Sequence, residues 1–326
     1  MQKKKVGLID VDGHHFPNLA LMRISAYHKA RGDNVEWWGG NMFHYDRVYM
    51  SKIFSDAYSP DMPEPVNADE VIKGGTGYCI SLDPDGKEVF DETKNVRLPD
   101  EMERMFPDYS IYPEYDFAVS MTSRGCPRGC AFCHVAAKEG RCAVKVADVC
   151  NFWREGEQKE IKVLDPNITA CREKRDLLRQ YQETRVWIDF TQGLDIRCLN
   201  GDDLDDINAM KLKEVHFAWD NPADDLTEKF KLYAENAKHK PHGRFGTVYV
   251  LVGYNSTMEE NLHRILTLRD LNFDPYVMVY DKPNAPKELR HLQRWVNNIR
   301  IFRKCRRFED YLNENTERTG ALADEI

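Results

Sequence analysis

The sequence predicts an α/β protein: an N-terminal Rossmann-like domain followed by a (β/α)6 partial TIM barrel. Three observations carry this. Short apolar runs alternate with segments of helical spacing along most of the 326 residues. From residue 117, six such strand–helix units follow one another at intervals of about 25–40 residues. The first 115 residues hold a shorter series of their own, with runs ending in acids or glycines, as strands of an open parallel sheet do at their binding edge.

In order, VGLIDVD (6–12) reads as a buried strand. Residues 17–31 have helical spacing at Leu19, Met22, Ala26 and Tyr27, opened by Pro17 and closed by Gly32. VEWW (35–38), RVYMSKIF (47–54) and DEVIKGG (69–75) supply three more strands. The charged, proline-containing stretch 83–116 reads as a connector. The barrel strands are FAVSMTS (117–123), EIKVLD (160–165), RVWIDF (185–190), KEVHFAW (213–219), FGTVYVLV (245–252) and PYVMVY (275–280). Helices are predicted over 142–155, 172–183, 202–211, 224–237 and 257–270, with 286–299 after the last strand. The domains are therefore 1–115, 116–282 and a C-terminal helical tail, 283–326, charged from residue 300 and polar at its end.

Hydrophobic residues make up 42% and charged residues 31%, an ordinary globular balance. The formal net charge of −8 argues against nucleic-acid binding driven by overall charge. Three lysines precede the first apolar run, but Asp10 and Asp12 interrupt it, and it is too short for a signal segment or a membrane span. The expectation is a soluble, cytoplasmic protein without a membrane partner.

Nine cysteines, an odd number in a long chain, do not make a disulfide framework. Three fall within eight residues, a clustering expected by chance in about one chain in a hundred of this length and cysteine content. They lie just after the first barrel strand, in Ser123-Arg124-Gly125-Cys126-Pro127-Arg128-Gly129-Cys130-Ala131-Phe132-Cys133-His134. Gly125 and Gly129 permit the backbone to wrap a metal cluster, and Pro127 stiffens the wrap. Three thiolates on a four-iron cube leave one iron open for another ligand. Zinc is the competing metal, with His134 as fourth ligand, although His134 adjoins Cys133 directly.

CxxxCxxC with an aromatic before the third cysteine resembles the signature of the radical S-adenosylmethionine (SAM) superfamily, matched at Cys126, Cys130, Phe132 and Cys133, and the resemblance extends over about 117–280. It implies a 4Fe–4S cluster on the three cysteines, SAM chelated to the fourth iron, and Phe132 near the adenine. It further implies one-electron cleavage of SAM to methionine and a 5′-deoxyadenosyl radical that takes a hydrogen atom from an unidentified substrate. The cofactor supplies that chemistry and the protein the position. By the same resemblance, Asp165 and Asn167 after the second strand are candidates for the SAM amino group. Gln192, Asp195 and Arg197 after the third are candidates for its hydroxyls and carboxylate, with an Asp–Arg rim pair as the structural alternative. Gly253 after the fifth stands where the family has a glycine beside the adenine. Asp220 and Asn221, and Tyr280 and Asp281, end the fourth and sixth strands.

The N-terminal domain resembles the cobalamin-binding domain found before many radical SAM barrels. Asp12 and His14 match the start of its DxHxxG signature, and Gly74-Gly75 fits its later glycine loop. Pro17 stands at the glycine position and the serine motif is not recognisable. A corrinoid held by His14 or His15, making the protein a cobalamin-dependent methyltransferase, thus competes with a simple strand-end turn. Relatives that methylthiolate RNA carry three extra cysteines in this domain, where this chain has only Cys79. Cysteines 142, 150, 171, 198 and 305 lack tight spacing and read as ordinary thiols. An electron donor such as flavodoxin or ferredoxin is implied, and the basic helix around Arg300–Arg307 is a candidate docking face for it. A non-enzymatic metal- or partner-binding module is the remaining alternative.

Overall fold

A computed structural model describes residues 3–84 and 86–313, and the chain divides into two compact units, Met1–Ile188 and Asp189–Ile326. In the first, β1 (Lys5–Asp10), β2 (Asn34–Trp37), β3 (Arg47–Ser51) and β4 (Val71–Gly74) form a parallel sheet in the order β2-β1-β3-β4. Alternation along β1 sends Val6 and Leu8 to one face and Ile9 to the other. Helix α1 (Leu19–Ala30) starts at Asn18, whose side chain accepts from the Leu21 amide at 3.2 Å. It packs Leu21 and Ile24 against Val6, Leu8 and Tyr49.

The connections β2–β3 and β3–β4 carry no helix, since Gly39-Gly40 and Pro60, Pro63 and Pro65 interrupt them. Loop aromatics cover the second face instead: Trp38, Tyr45 and Tyr78 pack on Ile9, Val48 and Met50. All four strands predicted here are present within a few residues.

The stretch 83–116 is more than a connector. It completes a hairpin of β5 (Ile80–Leu82) with β6 (Glu88–Phe90) and holds the short helix α2 (Asp100–Glu103). Then come β7 (Ala118–Ser120), the two-residue β8 (Ser123–Arg124), α3 (Val135–Glu139), β9 (Val144–Lys145), β10 (Glu160–Val163) and α4 (Lys174–Thr184). The helix predicted over 142–155 does not form. Val144–Lys145 pairs antiparallel with Ser123–Arg124, the amides of Val146 and Ala147 donate to the Thr122 carbonyl at 2.8 and 3.2 Å, and one turn at Val149–Asn151 remains. The alternating β-branched residues Val144 and Val146 suit an extended segment better than a helix.

Strand β11 (Trp187–Phe190) spans the unit boundary. The second unit continues with α5 (Gly201–Asn208), β12 (Lys211–Ala218), α6 (Thr227–Asn236), β13 (Thr247–Val252), α7 (Met258–Asp270), β14 (Asp274–Val279), α8 (Lys287–Asn297) and α9 (Ile299–Lys304). One six-stranded sheet has the order β14-β13-β12-β11-β10-β7, and within it β7–β10, β12–β13 and β13–β14 pair in parallel.

The second unit's core is aromatic: Phe217, Phe230, Tyr233 and Phe273 meet edge to face or tilted, and Trp219 stacks on Phe230. Edge strand β14 is masked by α8, since the Val277 amide donates to Asn297 at 2.7 Å and its carbonyl accepts from Gln293 at 3.1 Å, which blunts pairing with another chain. The basic run Arg300–Arg307 is not one helix: α9 ends at Lys304 and Cys305 is extended. Residues 314–326 of the predicted tail lie outside the described residues. Among the described residues, no helix is long and apolar enough to cross a membrane.

Candidate functional site

The cysteine loop starts where β8 ends, and its two ends are tied together. The Cys126 amide donates to the Gly140 carbonyl at 3.0 Å, and Arg124 Nη1 meets Glu139 Oε2 at 2.7 Å. Gly125 has φ +87°, and a Cβ there would lie 2.1 Å from the Cys142 carbonyl oxygen. No other residue fits. Gly125→Ala combines left-handed strain with this clash, so a loss of at least about 2 kcal/mol is expected, read as a lowered unfolding midpoint together with weaker iron uptake.

The loop is seated on side chains from 88–103. His134 stacks on Phe90 with ring centroids 5.5 Å apart, and its Nε2 lies 3.6 Å from Glu88. Asn95 and Arg97 donate to the Lys138 and Glu139 carbonyls at the end of α3, at 2.9 and 3.3 Å. Glu103 binds Arg124 and also Arg23 of α1, the latter at 2.5 Å. Arg23 and Glu139 are buried. Burial raises the Glu139 carboxyl, but the Arg124 and Lys138 charges outweigh it and hold it below the usual value.

The residues after β10 form the other wall. Asp165 is 1% exposed and accepts from the Thr122 amide at 3.0 Å, the Thr122 hydroxyl at 2.8 Å, and the Ser123 amide. Its pKa is raised by burial, against which these donors work. The buried Tyr181 of α4 reaches the same spot, with its hydroxyl 2.8 Å from Ser120 Oγ. Asn167 is 5% exposed and its Nδ2 donates to Cys126 Sγ at 3.4 Å. Asn167 thus meets Cys126, while Asp165 is turned toward the backbone that leads into the cysteine loop.

All nine cysteines lie outside disulfides; Cys126 and Cys130 are half-buried, Cys133 is exposed, and Phe132 is half-buried. Among the described residues, no three His, Cys, Asp or Glu side chains are grouped as around a metal ion. The donor set nonetheless suits an iron–sulfur cluster: three thiols within eight residues, on a braced loop, one of them receiving an amide N–H. It suits zinc poorly, since His134 is engaged by Phe90 and Glu88.

In the second unit, Asp195 caps the Ile196–Cys198 turn and binds Arg197 Nε at 2.7 Å, while Arg197 Nη1 meets Asp224 at 2.8 Å. Gln192 is exposed. Gly253 has φ +81°, and a Cβ there would meet Leu289 at 2.9 Å. Asp220 accepts from the Leu251 amide at 3.1 Å. Beside it, buried Arg264 donates to the carbonyls of Trp219, Asp220 and Leu251 at 2.6–3.0 Å, binding the ends of β12 and β13 together. Burial pulls its pKa down to about 10. Sequence reading missed Arg264, and also Arg124, Glu139, Glu103 and Tyr181. Only Arg124 had a visible signal, its place two residues before Cys126.

In the N-terminal sheet, the exposed His14 has φ +54° and its ring lies 4.1 Å from that of Trp37. Asp12 accepts from the Ile53 amide at 2.5 Å and from that of Phe54 at 3.3 Å. A Cβ on Gly75 would lie 2.2 Å from the Lys52 carbonyl, so this glycine is required by the chain's own packing.

No family model matches the chain, and no curated protein matches it. Among solved structures it is similar to the radical S-adenosylmethionine methyltransferase TsrM from Kitasatospora setae, solved with tryptophan substrate and the SAM analogue aza-SAM bound. Identity is 12%, the match covers 85% of this chain and 73% of that one, and the TM-score is 0.57. At that identity the likeness is one of fold.

Proposed function

We propose that this protein is a radical SAM enzyme in which Cys126, Cys130 and Cys133 hold a 4Fe–4S cluster and SAM takes the remaining iron. The observation that carries this is the three-cysteine loop with its aromatic, clamped at both ends and placed after the first strand of a six-stranded α/β sheet. The fold likeness to a radical SAM methyltransferase supports it. When bound, the cluster supplies the electron that cleaves SAM to methionine and a 5′-deoxyadenosyl radical.

The chain's own contribution is positional. Asp165, through Thr122 and Ser123, fixes the approach to the cysteines, and Arg124 with Glu139 closes the loop behind them. Phe132, Gln192, Asp195, Arg197 and Gly253 are the proposed SAM-facing groups. The ion pairs to Asp195 and Asp224 set the direction of the Arg197 guanidinium. A flavodoxin or ferredoxin is the proposed electron donor and the cytoplasm the proposed setting.

The test is anaerobic reconstitution with iron and sulfide, reduction with dithionite in the presence of SAM, and assay for 5′-deoxyadenosine. The expected result is brown protein that forms this product. Zinc-loaded protein without iron would instead mark a metal-binding module. The strand order β2-β1-β3-β4, which is the order of doubly wound sheets although only the β1–β2 connection carries a helix here, and the methyltransferase neighbour support a second reading with bound corrinoid and methyl transfer. Failure to bind hydroxocobalamin removes that version and leaves the first intact.

A further inference from the structure

Asn167 sits at the head of the Ile168–Ala170 turn. Its Oδ1 accepts from the Ala170 amide at 3.1 Å and from the Thr169 hydroxyl at 3.1 Å. A carbonyl oxygen has two lone pairs, so both are spoken for. This fixes which way round the amide lies: with Oδ1 facing Ala170, the NH2 group must face the other way, and there Nδ2 lies 3.4 Å from Cys126 Sγ. Burial to 5% exposure excludes competing water and strengthens the contact.

Resting on the radical SAM reading, we propose that the Asn167 side-chain amide is a positioning group for the cluster that sets its reduction potential by donating to the Cys126 sulfur. Reduction adds one electron, from an external one-electron donor, to an oxidised cluster. No bond forms or breaks in that step and no proton moves. The added charge spreads onto the sulfurs, so an N–H aimed at one of them stabilises the reduced form more than the oxidised form. The potential rises, and a weak physiological reductant populates more of the reduced cluster.

Two variants separate this from a role in capping the turn. Ser and Asp are both good N-caps, so Asn167→Ser and Asn167→Asp keep the turn. Ser is too short to reach the sulfur, and Asp places a negative oxygen beside it. The full chain is reconstituted and titrated with dithionite and mediators, with the reduced cluster followed by electron paramagnetic resonance.

At equal iron and sulfide content, Asn167→Ser is expected to lower the reduced-to-oxidised ratio at fixed applied potential about tenfold, equivalent to about 59 mV for one electron. Asn167→Asp is expected to lower it further. An unchanged potential in Asn167→Ser overturns the proposal. If a variant does not hold the cluster, wild-type protein labelled with 15N-asparagine decides: a nitrogen coupling to the reduced cluster supports the contact, and its absence overturns it. Wild-type protein that takes up no cluster overturns the parent reading, and this proposal with it.

Discussion

Replacing any one of Cys126, Cys130 or Cys133 with alanine is expected to abolish SAM cleavage while leaving the fold in place. A cubane held by three thiolates has no spare protein ligand, so losing one leaves two irons without protein sulfur. The loss should exceed the roughly 10–100-fold that changes behind the ligands usually cause. Cys126 and Cys130 are half-buried and Cys133 is exposed, so none carries much of the core. The unfolding midpoint of the metal-free variants should stay close to that of metal-free wild type, within about 0.5 kcal/mol. Iron and sulfide content, the paramagnetic signal of the reduced protein and 5′-deoxyadenosine yield are the measurements. Three variants that kept wild-type iron and cleavage would sink the cluster assignment.

Arg124→Met is expected to be the most damaging change outside the cysteines. Arg124 joins Glu103 and Glu139, and Glu103 also takes Arg23, so two guanidiniums sharing Glu103 tie α1, α2 and the far end of the cysteine loop into one charged network. Methionine fills the volume but leaves Glu139, whose side chain is 6% exposed, with Lys138 at 3.4 Å as its remaining cation. Breaking such a pair costs about 3–5 kcal/mol. A value near 3 is expected, because Glu103 keeps Arg23 and is partly solvated.

The pH dependence follows from Glu139. Its carboxyl is held below the usual 4.5, so the ionised form belongs to the folded state. The stabilisation that Glu139 contributes to the wild type is therefore full above pH 4.5 and shrinks as pH falls below it, through the depressed value. Denaturant unfolding at pH 7 and below pH 4.5 checks both statements. Adding Glu139→Leu to Arg124→Met should restore part of the lost stability, because the part-exposed Lys138 alone offsets the buried carboxylate less fully than Arg124 and Lys138 together, whereas leucine needs no partner.

Much of this protein was legible in its sequence. The strands of both sheets announce themselves by runs such as Val6–Ile9 and Val248–Val252, because apolar periodicity is a local property that burial must respect. Gly125 and the spacing of Cys126, Cys130 and Cys133 were readable for the same reason, since backbone freedom and ligand spacing are written within a dozen residues.

What only the tertiary structure decided is which distant side chain answers which. Residues 142–155 had enough helical character to mislead, and pairing with Ser123–Arg124 overrode it. Residues 88–103 looked like a tether and became the seat of the cysteine loop, through Glu88, Phe90, Asn95, Arg97 and Glu103. Asp165 and Asn167 were visible as polar groups at a strand end. That one grips the backbone beneath the loop while the other points at a sulfur depends on partners 41–43 residues away. Hydrogen bonds and ion pairs are directional and short-ranged, so their partners are chosen by how the chain packs, and no local pattern encodes that choice.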